Sequence, residues 1–294
     1  MTFEIDTGKD SAVRAFISDI HGNIEALCAV LKDIEQHDVE EILCLGDIVG
    51  YGPDPEACID LVMEKAKITL MGNHDHALIH KPLGFNPIAA EVIYLTKEIM
   101  DPQKHPEKKE TDIFEPHFYT CGHEGETPQC LLMEHAKDAR WKFIENLPDR
   151  HQESRLLCVH ATPLDPIFEY LLPDRFVSGW KPERVAQQFG AFEGLAFYGH
   201  THLPCVIADD LTCKYPSDIE CRFEFERSKK YIVNIGSVGQ PRDGDNRACY
   251  LLLDDAARTI EWRRVPYDVQ TTVRKSDKMC GEGNWCGARL LVGR

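Results

Sequence analysis

The stretch VRAFISDIHGNIEALCAVLKDIEQ, residues 13–36, decides how this chain folds. It opens with a short apolar run, Val13 to Ser18, that ends on Asp19. It closes with Ile24, Leu27, Val30, Leu31 and Ile34 at helical spacing, the apolar stripe of a helix that packs on a sheet. Asn23 stands where a capping side chain would accept a hydrogen bond from an otherwise unpaired N–H of the first turn. The unit is therefore a strand, a turn carrying Asp19 and His21, and a helix reaching about Gln36.

Working outward, the unit recurs. Ile42–Leu45 reads as a second strand, Pro55–Lys65 as a second helix with Cys58, Leu61 and Val62 on one face, and Ile68–Met71 as a third strand. Asp19 and Asp47 are 28 residues apart, and Asp47 and Asn73 are 26 apart. Each spacing is close to the roughly 30 residues of a strand-helix-strand unit. Right-handed crossovers lay such strands in parallel. The three ligand groups should then emerge at the C-terminal edge of one sheet, where α/β folds place their sites. Stretches 86–100 and 134–147 read as further helices. Strand signals return at Leu156–Val159, Leu195–Tyr198, Cys205–Ala208, Tyr231–Ile235, Cys249–Leu253 and Thr259–Val265. They are short and closely spaced, which predicts more antiparallel pairing in the second half. Residues 101–133, rich in Pro, Glu, Lys and His, are expected to form a surface insertion. The tail from about residue 273 is expected to be irregular.

Composition narrows the possibilities. The chain has 294 residues, 43% hydrophobic and 28% charged, ordinary values for a globular protein with a substantial core. No run of about 18 apolar residues occurs, so neither a membrane span nor a secretory leader is expected. The net charge of −16 opposes tight binding to long nucleic acid. Twelve cysteines are many, but Cys44, Cys158 and Cys249 sit in apolar runs, where a free thiol behaves as a small hydrophobe. A cytoplasmic location with reduced thiols is the expectation.

Metal-type ligands gather at the ends of the apolar runs in five blocks: SDIHGN (18–23), GDIVGYG (46–52), GNHDH (72–76), VHATP (159–163) and YGHTH (198–202). They supply Asp19, His21, Asp47, Asn73, His160, His200 and His202. In an extended segment, residues two apart point the same way, so Asp19 and His21 can grip one ion. Asp47 lies between the other groups in strand order and is the natural bridge, one oxygen to each of two ions. A mixed set of carboxylate, amide and imidazole donors without thiolate suits Mn, Fe, Zn, Co or Ni. Two divalent ions about 3.5–4 Å apart suit phosphoryl displacement.

In this pattern of D-x-H, G-D, G-N-H-D, H and G-H-x-H over residues 19–202, the chain resembles the calcineurin-like metallophosphoesterases, particularly their bacterial phosphodiesterase-like branch. The segment NIGSVGQPRDGD (234–245) adds to the likeness. The resemblance implies an α/β fold, a four-layer αββα sandwich with two facing mixed β-sheets, as a single domain over residues 1–294. It assigns Asp19, His21, Asp47 and His202 to one ion, and Asp47, Asn73, His160 and His200 to the other. It implies hydrolysis of phosphodiester, and also phosphomonoester, bonds of a small substrate by in-line attack of a hydroxide bridging the ions. His74 would donate a proton to the leaving oxygen or stabilise the transition state.

Other readings stand beside this one. Phosphoprotein Ser/Thr phosphatases of the family carry an arginine in a D-R-G ending after the bridging aspartate, whereas this chain has GDIVGYG. A dinucleoside-polyphosphate phosphatase and a non-catalytic metal-binding scaffold are the remaining alternatives. Arg242 could clamp a substrate phosphate or pair with Asp243 or Asp245. Asn23 could touch phosphate or only cap its helix, and His76 could face substrate or solvent. Asp75 could orient a histidine ring. Cysteine and histidine residues between 105 and 135, or the pair Cys280 and Cys286, could hold a further metal.

Overall fold

A computed structural model describes residues 13–101, 117–120, 129–132, 137–173 and 181–294, with the backbone alone at 117–120, 129–132 and 137. In chain order its elements are β1 (Val13–Ile17), α1 (Ile24–Ile34), β2 (Val39–Cys44), α2 (Pro55–Lys65), β3 (Ile68–Thr69), α3 (Asn73–Ile79) and α4 (Pro87–Met100). Then come β4 (His117–Thr120), β5 (Gln129–Leu132), α5 (Lys137–Glu145), β6 (Arg150–Glu153), β7 (Leu156–Val159), α6 (Pro182–Gln188), β8 (Leu195–Tyr198) and β9 (Cys205–Ala208). The rest are β10 (Cys213–Lys214), β11 (Arg222–Glu224), β12 (Tyr231–Asn234), β13 (Ala248–Asp254), β14 (Thr259–Val265), α7 (Val269–Cys280) and α8 (Trp285–Val292).

Two mixed six-stranded sheets face each other. The first has the order β11–β14–β13–β1–β2–β3 and the second β10–β9–β12–β8–β7–β6. In the first, β1, β2 and β3 are parallel, as the spacing of Asp19, Asp47 and Asn73 requires. In the second, β8 runs parallel to both β7 and β12. Each sheet thus sends three parallel strands toward one edge, and the remaining pairings are antiparallel.

Apolar side chains between the sheets hold them together. Phe16, Leu43 and Leu251 of the first sheet meet Phe197, Val206 and Val233 of the second, with the Phe16 and Phe197 rings edge to face at 4.8 Å. The Trp262 indole of β14 crosses to donate to the Asn234 carbonyl of β12 at 2.9 Å, so a large buried aromatic also satisfies its polar end. Helices cover the outer faces. Ile24, Leu27, Val30, Leu31 and Ile34 of α1 and Cys58, Leu61 and Val62 of α2 are buried against the first sheet. Val185 of α6 packs on the second. Asn23 caps α1 by accepting from the Ala26 N–H at 3.1 Å.

Two sequence expectations meet the backbone differently. Within the expected insertion, β4 and β5 pair as an antiparallel hairpin. The cysteine and histidine side chains of 105–135 lie outside the described residues. The tail is helical rather than irregular: α7 and α8 pack on each other and on α1. Asp268 and Asn284 cap them, accepting from the Thr271 and Gly287 N–H groups. The buried face of α7 is made by Thr272 and Ser276, so a helix is present whose inward stripe is polar and invisible to a search for apolar periodicity.

Candidate metal centre

The ligand residues sit on the turns that follow β1, β2, β7 and β8 and at the start of α3. Their backbone is unusual. Asp19, His21, Asp47, His200 and His202 all have positive φ, between 49° and 60°. Aspartate and histidine tolerate this left-handed region better than most residues, yet each such residue costs about 1–3 kcal/mol. Asp19 and His21 therefore do not converge because an extended strand points them alike. They converge because the chain turns sharply twice within three residues.

Backbone hydrogen bonds hold these turns across the two sheets. The Asp19 carbonyl accepts from Gly239 N and Ser237 Oγ, both at 2.9 Å. His200 N donates to both Asp19 carboxylate oxygens at 3.0 Å. His21 N donates to the Asp47 carbonyl at 2.9 Å. Glycines let the turns touch. A Cβ on Gly72 would lie 2.1 Å from Asp47 Oδ1, and one on Gly199 would lie 2.2 Å from Asp19 Oδ2.

All seven expected ligands come together in two clusters. In one, His21 Nε2 lies 3.1 Å from His202 Nε2, and His202 Nε2 lies 3.2 Å from Asp19 Oδ1. In the other, His160 Nε2 lies 3.1 Å from Asn73 Oδ1 and 3.2 Å from His200 Nδ1. Asp47 joins them through a single atom: its Oδ2 is 3.6 Å from His21 Nε2 and 3.4 Å from His160 Nε2. Its Oδ1 accepts the His74 N–H at 2.8 Å. The expectation of one oxygen per ion is corrected here, since a backbone donor occupies the second oxygen and only Oδ2 faces both clusters.

The donor set fits divalent cations. His21, His160 and His202 each place Nδ1 against a backbone carbonyl, of Val49, Leu45 and Gln240, at 3.1, 2.9 and 2.5 Å. Those contacts fix the proton on Nδ1 and leave Nε2 as a bare lone pair directed inward. The Nε2 atoms of His21 and His202 then face each other at 3.1 Å, which is repulsive unless a positive charge sits beside them. All seven residues are buried, so solvent does little to relieve that repulsion.

Electrostatics within the protein point the same way. Burial opposes ionisation of Asp19, but His202 and His160 outweigh it and hold its pKa at about 2. Asp47 is likewise held well below the carboxylate range, the neighbouring histidines overcoming burial. Burial drives His21 well below the usual imidazole value, and His74 adds to the effect. Burial lowers His200 to about 3, with His160 adding to it. His160 alone rises, to about 9, because Asp47 outweighs burial. Two ionised carboxylates therefore share a buried site with mostly neutral imidazoles, an arrangement that attracts cations.

His74 lies at the edge of this group, with one ring nitrogen within 4.8 Å of the ligand atoms of His21 and Asp47. Its Nδ1 is buried without a hydrogen-bond partner. Burial and Arg242 bring its pKa down to about 4, against the pull of Asp47, so the ring is neutral near pH 7. Asp75 does not orient a histidine ring. Its oxygens accept from the backbone N–H groups of Ile48, Val49 and Gly72 at 3.0, 3.2 and 3.1 Å, tying the Asp47 turn to the start of α3.

The expected substrate contacts separate. Asn23 is buried, and its amide is fully used. It donates to the Gly239 carbonyl and Tyr267 hydroxyl and accepts from Ala26 N and Thr272 Oγ1. The capping alternative is the observed one, and nothing is left for a phosphate. His76 lies beside the centre in a cleft of ≈ 390 Å³ lined in part by Asn73, His80, Phe85 and Phe168. Arg242 is on the other side. It donates to Gln240 Oε1 at 2.9 Å, while Asp243 and Asp245 pair with Arg264 and Arg247 instead. Cys280 and Cys286 pack in an apolar cluster with Tyr51, Ala89 and Val92.

Tyr51, Tyr170 and Gln240 were not singled out by the sequence, yet they border the site. The Tyr51 ring is 4.8 Å from that of His21 and 4.7 Å from that of His74. The Tyr170 ring lies 3.9 Å from that of His200. Tyr51 stands inside the GDIVGYG block and could have been noticed there. Tyr170 comes from a loop with no local signal.

Comparison with known proteins gives a consistent picture. The sequence model of the calcineurin-like phosphoesterases matches residues 14–204. An uncharacterized protein of Methanocaldococcus jannaschii, MJ0912, is 33% identical over 287 residues, covering 95% of this chain and 98% of that protein. The crystal structure of a metallophosphoesterase from Sphaerobacter thermophilus is 30% identical, with a TM-score of 0.70 over 97% of this chain and 100% of the other. The hypothetical protein PH1004 from Pyrococcus horikoshii shares the fold at 16% identity, with a TM-score of 0.66, covering 96% and 99% of the two chains.

Proposed function

The chain belongs to the calcineurin-like phosphoesterase family, and on that premise we propose that it hydrolyses phosphodiester bonds of a small substrate with two divalent metal ions. The observation that carries this reading is the convergence of both ligand clusters on Asp47 Oδ2. One ion would be held by Asp19, His21, Asp47 and His202, and the other by Asp47, Asn73, His160 and His200. Bound there, Mn, Fe, Zn, Co or Ni ions would supply Lewis acidity toward a water and a phosphoryl oxygen.

The chain's own residues do the rest. The carbonyls of Val49, Leu45 and Gln240 keep three histidine rings in their ligating tautomer. His74 is neutral, so it serves as a hydrogen-bonding ring beside the reacting phosphoryl group and can pass a proton to the leaving oxygen. The cleft beside Asn73 offers Phe85 and Phe168 to one ester arm, which supports a diester over a bare monoester and a phosphodiesterase-like branch of the family. Tyr51, in a Gly-Tyr-Gly ending, occupies the block where phosphoprotein phosphatases carry arginine, which disfavours that alternative. We read the whole chain as one catalytic domain. The ten described cysteines, all free, support a reducing, cytoplasmic setting. Among the described residues no helix is long and apolar enough to cross a membrane.

The test is a screen of metal-reconstituted protein against bis(p-nitrophenyl) phosphate and p-nitrophenyl phosphate with Mn, Ni, Co and Zn. Faster turnover of the diester is expected. A protein that binds two ions and turns over no phosphoester would instead be a scaffold.

A further inference from the structure

The region around Gln240 holds an unusual pair of charges. Arg242 donates to Gln240 Oε1 through Nε at 3.3 Å and Nη2 at 2.9 Å. Arg289, from α8, reaches the same oxygen through Nη1 at 3.4 Å. Two guanidinium groups thus share one neutral acceptor. Arg289 also donates through Nε to the Arg294 carbonyl oxygen. Among the described residues, no side-chain carboxylate pairs with either arginine.

That absence is informative in a chain with 49 acidic residues and a net charge of −16. Other arginines find carboxylates: Arg140 with Asp60 and Glu56, Arg184 with Glu169, Arg263 with Asp33. The aspartates nearest Arg242 in sequence, Asp243 and Asp245, are turned to Arg264 and Arg247. Burial, reinforced by Arg242, pushes the Arg289 pKa down to about 10, the sign of two like charges held together in a partly dry place.

The pair is also held flat and close to the metal centre. The Arg289 guanidinium lies 4.1 Å from the Trp285 ring centroid, and that of Arg242 lies 5.8 Å from the Tyr51 ring. Tyr51 in turn touches His21 and His74. Gln240, whose side chain gathers both arginines, presents its backbone carbonyl to the ligand histidine His202. Arg242 Nη1 and Arg289 Nη2 have no partner among the described residues, which leaves donors of both planar forks for a ligand.

We propose that Arg242 and Arg289 form a second oxyanion subsite beside the metal centre, so that the substrate carries a phosphate or carboxylate group in addition to the phosphoester that is cleaved. The subsite rests on the phosphoesterase reading above for its cleaved group, but not for its own charge. It makes α8 part of substrate selection, although α8 lies outside the residues matched by the family model.

The experiment is calorimetric titration of metal-loaded protein with fructose 6-phosphate, fructose 1,6-bisphosphate and 6-phosphogluconate. The bisphosphate should bind roughly tenfold tighter than the monophosphate or better, the worth of one or two charge-assisted hydrogen bonds. In Arg289→Gln that ratio should collapse toward one, and Arg289→Lys, which keeps charge without the fork, should fall between. If 6-phosphogluconate follows the bisphosphate, a carboxylate suffices; if it follows fructose 6-phosphate, the subsite requires a second phosphate. Equal affinity for all three in the unaltered protein, or a preference that survives in Arg289→Gln, overturns the subsite. Should Arg289→Gln fail to fold, Arg242→Gln carries the same expectation. Turnover of bis(p-nitrophenyl) phosphate is read separately. Hydrolysis without the anion preference removes the subsite alone, and the preference without hydrolysis removes the phosphoesterase reading alone.

Discussion

The ligand-bearing turns and the C-terminal helical pair meet at the same place but are built by opposite means. The turns are held by backbone: Asp19, Asp47 and their neighbours exchange main-chain hydrogen bonds with Gly239, His21 and His200, and glycines at 72 and 199 let chains approach to contact. The helices α7 and α8 are held by side chains. Thr272 donates to Asn23 and Glu25, and Lys275 reaches Glu25 and Asp54. A backbone-built site tolerates little change without losing its chemistry. An element docked through side chains can change its outward residues, such as Trp285 and Arg289, and so alter which substrate is admitted while the chemistry stays the same.

The largest expected effect probes the turns. Asp47→Asn should lose both ions together, seen as metal content falling toward zero by mass spectrometry, with activity falling accordingly. His202→Ala should lose chiefly one. Equal single-ion losses in the two variants would break the assignment of Asp47 Oδ2 to both clusters.

His74→Ala should keep metal content near that of the unaltered protein and lower kcat by roughly 10²–10⁴-fold. Metal loss in this variant would move His74 into the ligand set.

A smaller effect probes the helices. Lys275→Met leaves Glu25 and Asp54 without their cation and should cost about 1–3 kcal/mol. That is a Tm drop of roughly 2–4 °C per kcal/mol for a chain of this size class, with metal content unchanged. A loss of metal here would mean the two regions are not separable.

The smallest effect is the pH dependence of that difference. Burial alone would lower the Lys275 pKa, but Glu25 and Asp54 outweigh it and raise it. A raised folded value means the ammonium stabilises the fold fully below the ordinary lysine pKa of about 10.4. The contribution is lost as pH rises through the higher folded value. The Tm gap between the unaltered protein and Lys275→Met should persist to about pH 10 and narrow only above it.

Much of this contrast can be traced to what a sequence displays. The β1–α1–β2–α2–β3 unit was legible because apolar periodicity and the spacing of Asp19, Asp47 and Asn73 reported the same crossovers. The seven ligands were legible because each closes a strand or opens a helix. The helices of the tail were missed because α7 buries Thr272 and Ser276 instead of an apolar stripe. Asp75 was misjudged because its backbone partners are set by how two turns lie against each other. Tyr170 was missed because its contact with His200 is made by a loop.

By itself, the sequence determined which residues could bind metal, in what order, and that three of them would leave one sheet edge together, because strand-helix-strand spacing is a local property of the chain. Only the tertiary structure decided that five ligands turn through left-handed backbone, that one oxygen of Asp47 faces both clusters, and that Arg242 and Arg289 share Gln240 without a carboxylate. Those features arise where segments far apart in sequence come within a few ångströms, and there the partner of a hydrogen bond or a charge is settled by packing.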